Sequence, residues 1–387
     1  MRIVFTANPL PGHIVPMVPL MRAAVAAGHR VALVTGADAA PFVHAEASPD
    51  VEVLPAGPPT LEGMADMQRA TGVSPATAPR PDTIAEYFAV RRVVATVDDA
   101  VGAARAWRPD VVVSESLDHV GPYVAAALGV PFLRHTFGPE RPAPVRSAID
   151  AAAARLAAER DVVLPPVSAW VDVYPGFLEA PGTVRPGRRI PVRPTAHGGV
   201  GADVAAAPAA DGAPARPSVL LTMGTVFTSR RLLDRMVASI EATGLPVDLV
   251  VTAVDGLGAG PSSSDSPVRV RNVGFRPLAE LLTGVDAVVT VGGAGTVLGA
   301  LVAGVPMVVM PLGADHPVNA ARAEAAGAAV VVDGPETVGP ALRHVLTTPD
   351  LGRSARAVAD RIGALPPVEV ALAEVEQVVV AATRASV

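Results

Sequence analysis

Residues 2–35 read RIVFTANPLPGHIVPMVPLMRAAVAAGHRVALVT, and their pattern decides the fold class. Residues 2–7 are a β-rich apolar run, residues 8–13 a polar turn marked by Pro9, Pro11 and Gly12, and residues 16–27 an amphipathic stretch stopped by Gly28. The β pattern resumes at residues 29–35. Strand, turn, helix and strand make a βαβ unit, whose two strands must run parallel.

The rhythm recurs outward from that stretch. Residues 110–114, 118–128 and 130–135 repeat strand, helix and strand, with Gly129 as the helix stop. The first half therefore reads as a parallel sheet covered by helices. Between the units, residues 55–81 show no period and are expected to be irregular, with 57–80 a mobile loop whose Met64 and Met67 face an apolar ligand. Residues 82–106 are expected to form one long helix. Residues 181–217, rich in proline and then weakly patterned, cannot build a core and read as the tract joining two domains. The βα rhythm then restarts, with strands expected at 218–223, 247–252, 268–270, 286–290, 305–310 and 330–332. A polar loop is expected at 256–267, and a helical tail at 350–382. The division expected is a first Rossmann-like domain at 1–198, a linker at 199–217, a second Rossmann-like domain at 218–368 and a C-terminal helix at 369–387 crossing back onto the first. Two doubly wound α/β domains facing a central cleft put their ligands beyond the carboxyl ends of the strands, so the chemistry is sought there.

Composition excludes several classes. Across 387 residues, 31 Lys plus Arg stand against 37 Asp plus Glu, a formal net charge of −6, which does not suit a nucleic-acid binder. The chain has no cysteine, which removes thiolate nucleophiles, disulfides and Cys-ligated metals. No apolar run reaches the 18 or so residues of a membrane span. The start, with Arg2 alone before a short apolar run, lacks the longer core of a secretory leader, so the expected location is the cytoplasm. No His and acid spacing matches a metal-binding motif, and no metal is expected.

Among strand ends, His13 stands in the first turn, where an imidazole is a competent base at cellular pH. The alternative reading is a cap for the following helix. An acid to orient it has two candidates in Ser114-Glu115-Ser116-Leu117-Asp118: Glu115, first at the strand end, or Asp118, which can instead cap the next helix. In the second half, Gly292-Gly293-Ala294-Gly295-Thr296 follows a strand and opens a helix, as an anion site or as tight packing. It lacks the Gly-Lys-Ser/Thr of the Walker loop, and the first strand lacks a dinucleotide fingerprint, which disfavours a dehydrogenase. Gly224 and Thr225, and then Asp315 and His316, lie at two further strand ends as phosphate and sugar-hydroxyl partners or as ordinary turn and cap residues.

Taken together, Gly12-His13-Ile14-Val15-Pro16, Leu221-Thr222-Met223-Gly224-Thr225-Val226-Phe227, Asn272-Val273-Gly274-Phe275-Arg276-Pro277-Leu278, the run from Asp286 to Thr296, Gly304-Val305-Pro306 and Pro311-Leu312-Gly313-Ala314-Asp315-His316-Pro317-Val318-Asn319-Ala320 resemble, in order and spacing, the bacterial antibiotic-tailoring glycosyltransferases of the nucleoside-diphosphate-sugar-dependent, two-lobed (GT-B) family. The resemblance covers nearly the whole chain. It implies an inverting transfer of a deoxysugar from a nucleoside diphosphate, commonly dTDP, to a small hydrophobic, polyketide-like acceptor, with no separate cofactor. It implies the acceptor on the first lobe, the donor on the second, and a homodimer. By resemblance His13 is the general base and Glu115 its orienting acid. Phe275, Arg276 and Leu278 fall where the family meets the nucleobase. Thr225 and the segment Val291, Gly292, Gly293, Ala294, Gly295 and Thr296 fall at the diphosphate, and Asp315 and His316 at the donor sugar. Two departures stand out: His316 replaces a common glutamine, and Val291 replaces a histidine that donates to a donor phosphate. The second keeps open an alternative of another class, an inactive partner of such an enzyme.

Overall fold

The computed structural model describes residues 1–75, 79–198, 216–224, 229–252, 266–274 and 276–385. They divide into two compact units, residues 1–193 with 365–387 and residues 194–364.

The first unit carries strands β1 (Arg2–Thr6), β2 (Arg30–Thr35), β3 (Glu52–Pro55), β4 (Val111–Glu115), β5 (Phe132–His135), β6 (Ala169–Asp172) and β7 (Arg189–Pro191). They form one parallel sheet in the order β3-β2-β1-β4-β5-β6-β7. The second unit carries β8 (Ser218–Thr222), β9 (Val247–Thr252), β10 (Val268–Asn272), β11 (Ala287–Thr290), β12 (Met307–Val309) and β13 (Ala329–Val331), parallel in the order β10-β9-β8-β11-β12-β13. Each sheet is wound outward from its middle, so the order reverses between β1 and β4 and again between β8 and β11. Loops leaving a sheet at that reversal diverge to opposite faces and open a crevice at the carboxyl ends.

Both faces of each sheet are covered, which is why the strands are apolar on alternate and intervening residues alike. In the first unit Ile3, Phe5, Val111, Val113 and Leu133 pack on one face with Leu20 and Met21 of the helix Val18–Ala26. Val4, Val112 and Phe132 pack on the other with Val97 and Trp107 of the helix Val97–Trp107. Each such side chain, taken fully from water, contributes about 1.5–3 kcal/mol before chain entropy is counted.

Several expectations are corrected. The expected loop at 57–80 contains a helix: Thr60–Thr71 is helical and ended by Gly72 at φ +75°, and Met64 and Met67 are buried in a cluster with Tyr87 and Phe88. The pattern was hidden because the helix is mostly polar, with only a narrow apolar stripe. Residues 76–78 lie outside the described residues. The single helix at 82–106 is interrupted: helix Pro81–Ala85, a π-helical stretch Glu86–Arg91, the turn Arg92–Val94 and helix Val97–Trp107 follow one another. Part of the supposed linker, Arg189–Pro191, is an edge strand whose Ile190 is wholly buried. Proline at a sheet edge costs no ladder bond, so the composition misled. Residues 194–198, expected in the first domain, lie with the second unit, where the Ala279 N–H donates to the His197 carbonyl at 2.9 Å. Residues 199–215 of the expected linker and most of the loop at 256–267 lie outside the described residues.

The tail at 350–382 is two helices, Pro349–Gly363 and Val368–Ala385, separated at Pro366 and Pro367, where a missing N–H and a ring clash stop a helix. The break coincides with the return of the chain to the first unit. There Arg193 N–H donates to the Pro366 carbonyl at 2.7 Å, and Ala371, Leu372 and Val375 join the core under β1.

Candidate active site

The order reversal of the first sheet brings the ends of β1 and β4 together. After β1 the chain enters a four-residue helical turn, Pro11–Ile14, with Pro11 at its first position. That turn aims His13 at the end of β4. His13 Nδ1 lies 2.8 Å from Glu115 Oε1, with the histidine side chain 13% exposed and the glutamate fully buried. Glu115 Oε1 also accepts from Asn8 Nδ2 at 2.5 Å, and Oε2 accepts from the Leu117 N–H at 2.6 Å.

Burial opposes a charge on Glu115, but the imidazole beside it and these donors outweigh it, and the carboxyl pKa falls to about 2. An ionised carboxylate only accepts. The Nδ1 of His13 therefore carries the proton and Nε2 keeps a lone pair, the tautomer that a proton-abstracting histidine needs.

Asp118 is placed differently. It is also fully buried, and burial together with the Glu115 charge raises its pKa. Its Oδ1 accepts from Val120 N–H at 3.0 Å and its Oδ2 from Ser114 Oγ at 3.2 Å, just ahead of the helix Gly121–Leu128. Of the two acids offered by residues 114–118, the one beside His13 is Glu115.

Sequence reasoning passed over Asn8 and Arg134. Arg134, in β5, is buried, and its Nη1 donates to the carbonyls of Asp118 at 2.8 Å, Glu115 at 3.3 Å and Ser116 at 3.4 Å. Burial lowers its pKa to about 10, still far above neutrality. A buried cation capping three carbonyls fixes the loop that presents Glu115. The available signal was an arginine inside an otherwise apolar strand. Also missed were Phe137 and Phe88, whose ring centroids lie 4.9 Å and 6.0 Å from that of His13. Phe88 comes from the π-helical stretch, a local widening of the helix that recurs at functional sites. Behind these rings lie Met64, Met67, Leu117 and Ile149, so one border of His13 is apolar.

In the second unit the corresponding reversal lies between β8 and β11. Gly224 and Gly292 leave these strands at φ +72° and +95°. A Cβ on Gly292 would meet the His316 carbonyl at 3.1 Å, so only glycine fits without strain. Gly293 caps the helix Ala294–Ala303, and Cβ atoms on Gly293 or Gly295 would meet nothing within 4 Å. Those two glycines face open space, which tight packing does not require. Thr296 and Val297 N–H both donate to the Gly293 carbonyl, leaving the Ala294 and Gly295 N–H groups without acceptors inside the helix. Such amides at a helix start suit an anion.

Asp315 precedes the helix His316–Ala325. Asn319, a further residue not anticipated, donates through Nδ2 to Asp315 Oδ2 and to the Gly292 carbonyl, each at 2.9 Å, tying the two strand ends together. His316 is buried, and burial, partly offset by Asp315, lowers its pKa. Leu278 packs against Gly299, while Arg276 is 60% exposed and reaches Glu280 at 3.7 Å. Thr225 and Phe275 lie outside the described residues. Val291 calls for a correction: expected at the diphosphate, its side chain is 1% exposed and packs in the core with Val289, Val308 and Met310. The pleat of the strand turns Val289 and Val291 to the same face.

Among the described residues no group of His, Cys, Asp and Glu is arranged to hold a metal ion, and no helix is long and apolar enough to cross a membrane.

Comparison with known proteins adds to this geometry. The N-terminal domain family described as erythromycin biosynthesis protein CIII-like matches residues 22–179, and the C-terminal domain family of the same description matches residues 241–377. The chain is 30% identical over 381 residues to the elloramycin glycosyltransferase ElmGT of Streptomyces olivaceus, covering 96% of each protein. It is 34% identical over 349 residues to the L-demethylnoviosyl transferase of Streptomyces niveus, covering 85% of this chain and 84% of that one. The solved structure of the Streptomyces sp. SF2575 glycosyltransferase SsfS6 complexed with thymidine diphosphate matches it with a TM-score of 0.78 and 26% identity, over 97% of this chain and 99% of that one.

Proposed function

The chain belongs to the bacterial antibiotic-tailoring glycosyltransferases of the two-lobed type, and from that premise we propose that it is an inverting enzyme moving a deoxysugar from dTDP to a hydroxyl of a small, hydrophobic, polyketide-like acceptor. The observation that carries the reading is the His13–Glu115 pair at the strand reversal of the first unit.

In the proposed reaction the acceptor hydroxyl gives its proton to His13 Nε2 as its oxygen forms a bond to the anomeric carbon. The bond from that carbon to the diphosphate oxygen breaks, its electron pair leaving with dTDP, and the configuration inverts. Glu115, ionised throughout, stabilises the imidazolium that forms. Charge accumulates on the departing β-phosphate, where the Ala294 and Gly295 amides and the Thr296 hydroxyl at the helix start act more strongly on the transition state than on the ground state. Asp315, with His316 beside it, accepts from hydroxyls of the donor sugar. The thymidine diphosphate held by the SsfS6 relative supports the choice of nucleotide.

Purified protein is to be offered dTDP- and UDP-sugars with aromatic polyketide and macrolactone acceptors, scoring nucleotide release and glycosylated product. Stoichiometric product and dTDP from a dTDP-sugar are expected. Binding of dTDP without transfer to any acceptor would instead favour the inactive partner.

A further inference from the structure

Phe137 stands beside His13, with its ring centroid 4.9 Å from that of the imidazole, and it belongs to the segment 136–142 that leaves the end of β5. Both ends of that segment are tied to the neighbouring edge of the sheet. At the start, the Thr136 N–H donates to the Val171 carbonyl at 2.9 Å, while Thr136 Oγ1 donates to Asp172 Oδ1 at 3.1 Å and accepts from the Val173 N–H at 3.0 Å. Beyond Phe137, the Glu140 N–H donates to Glu179 Oε1 at 2.9 Å. The Glu140 carboxylate meets two guanidiniums, with Arg189 Nη2 3.4 Å from Oε2 and Arg146 Nη1 3.9 Å from Oε1.

Arg189 opens β7, the edge strand within the proline-rich tract. Its side chain is 15% exposed and that of Glu140 11%, and its guanidinium lies 4.6 Å from the centroid of the Trp170 ring. A cation so far withdrawn from water needs a counter-charge. Asp172, 3.6 Å from Arg189 Nη1, is also paired with Arg185. Two cations thus share Asp172, and Glu140 brings the second acid. Burial presses the Arg189 guanidinium towards its neutral form, and Glu140 is the first charge to oppose it. Releasing Glu140 would leave positive charge in excess at the sheet edge, so the pair resists opening. The chain from Phe137 to Glu140 spans at most about 10–11 Å, and fixing Thr136 and Glu140 confines the ring between them.

We propose that Glu140 is a positioning residue for the acceptor: paired with Arg189 on the sheet edge, it sets where Phe137 stands against His13, and so fixes the aromatic wall along which a flat acceptor presents its hydroxyl to the imidazole. This rests on the reading of His13 as the base and of its apolar border as the acceptor site. The edge strand β7, which touches no reacting atom, thereby takes part in acceptor selection. Small displacements suffice for this, because a misplacement of about 1 Å in a group that orients a reactant can cost about 10²-fold in rate.

The test reads Phe137 through His13. An aromatic ring shifts the magnetic resonance of protons near it, so in protein labelled at histidine Cε1 the His13 signal, assigned by its loss in His13→Gln, reports where that ring lies. Phe137→Leu supplies the reference with the ring gone. Glu140→Ala and Arg189→Met are each expected to move the signal towards that reference while the signals of His29 and His344 stay, and Arg189→Lys, which keeps the charge, should restore most of the wild-type position. Calorimetry with 2-naphthol, a flat phenol, should show binding weakened about 2- to 10-fold in Glu140→Ala and Arg189→Met, the scale of one aromatic contact, with dTDP binding unchanged. A His13 signal that stays put in Arg189→Met and in Glu140→Gln, the variants that disturb packing least, overturns the role of Glu140 and leaves the acceptor reading standing. A signal that moves with no loss of 2-naphthol affinity overturns the acceptor reading of this border instead, as does wild-type protein that binds dTDP but not 2-naphthol.

Discussion

The two strand reversals of this molecule occupy equivalent places in equivalent sheets, yet they are equipped in opposite ways. At the first, side chains do the work: a buried, ionised Glu115 fixes the tautomer of His13, with Asn8 and Arg134 holding the acid and its loop. At the second, the backbone does: Gly292 makes a turn that only glycine fits, and the helix behind it offers the amides of Ala294 and Gly295. The difference follows from the chemistry each would serve. Moving a proton needs a titratable group of defined tautomer, whereas holding a diphosphate needs fixed dipoles that cannot titrate away. Deleting side chains should therefore cripple the first site, and altering backbone freedom the second.

The largest expected effect is at His13. His13→Ala should lower transfer about 10²- to 10⁴-fold while dTDP binding, measured by calorimetry, stays near the wild-type value. Near-normal turnover in this variant would break the comparison at its root.

Next is the acid. Glu115→Gln should lower transfer about 10- to 100-fold, the usual scale for a group that orients a reacting histidine. Asp118→Asn should do far less, since Asp118 accepts from the Val120 amide and the Ser114 hydroxyl rather than from His13. Stability gives a second readout. The Glu115 carboxyl titrates at about 2 when folded against 4.5 for an ordinary glutamate. The folded state thus gains stability from its charge that is fully present above pH 4.5 and is lost as the pH falls from 4.5 towards 2. Chemical denaturation across that window should show a shallower acid loss in Glu115→Gln than in wild type.

At the second reversal, Gly292→Ala places a Cβ at φ +95° and 3.1 Å from the His316 carbonyl, and should cost about 1–3 kcal/mol of stability. Val291→His is expected to cost a similar amount, about 1–3 kcal/mol, because it sets a polar ring in a closed apolar core; thermal unfolding with and without dTDP tests this. Tighter dTDP binding in that variant would show that the ring escapes the core to reach the ligand, sharpening the contrast between backbone and side chain into something weaker.

The smallest effect on the free protein is expected at Gly295. Its Cβ position is open, so Gly295→Ala should leave the melting temperature unchanged or raise it slightly, by up to about 1 kcal/mol in helix propensity. The same methyl would crowd an anion held on the first-turn amides, and dTDP binding should weaken. Unchanged binding would mean that the diphosphate is held elsewhere.

Much of this architecture was legible in residues 2–35. The period switch from two to 3.6 and back, with glycine and proline at the joints, requires a parallel α/β sheet whatever the rest of the chain does. What escaped is informative. The helix Thr60–Thr71 is mostly polar because only Met64, Met67 and a neighbour or two touch the core. The strand at Arg189–Pro191 reads as linker because an edge strand tolerates proline.

The sequence by itself determined the chemical inventory: an imidazole and two acids at strand ends, a glycine run before a helix, no thiol, and a motif order that marks the family. It did not determine which acid meets the imidazole, whether the glycines are packed or open, or that Val291 belongs to the core. Those depend on which strands become neighbours and which way each pleat points, and β1 and β4, separated by more than a hundred residues in the chain, meet only in the folded sheet. A carboxylate at residue 115 and another at residue 118 are equivalent as composition. Only the register of β4 against β1 turns one towards His13 and leaves the other to bond the Val120 amide.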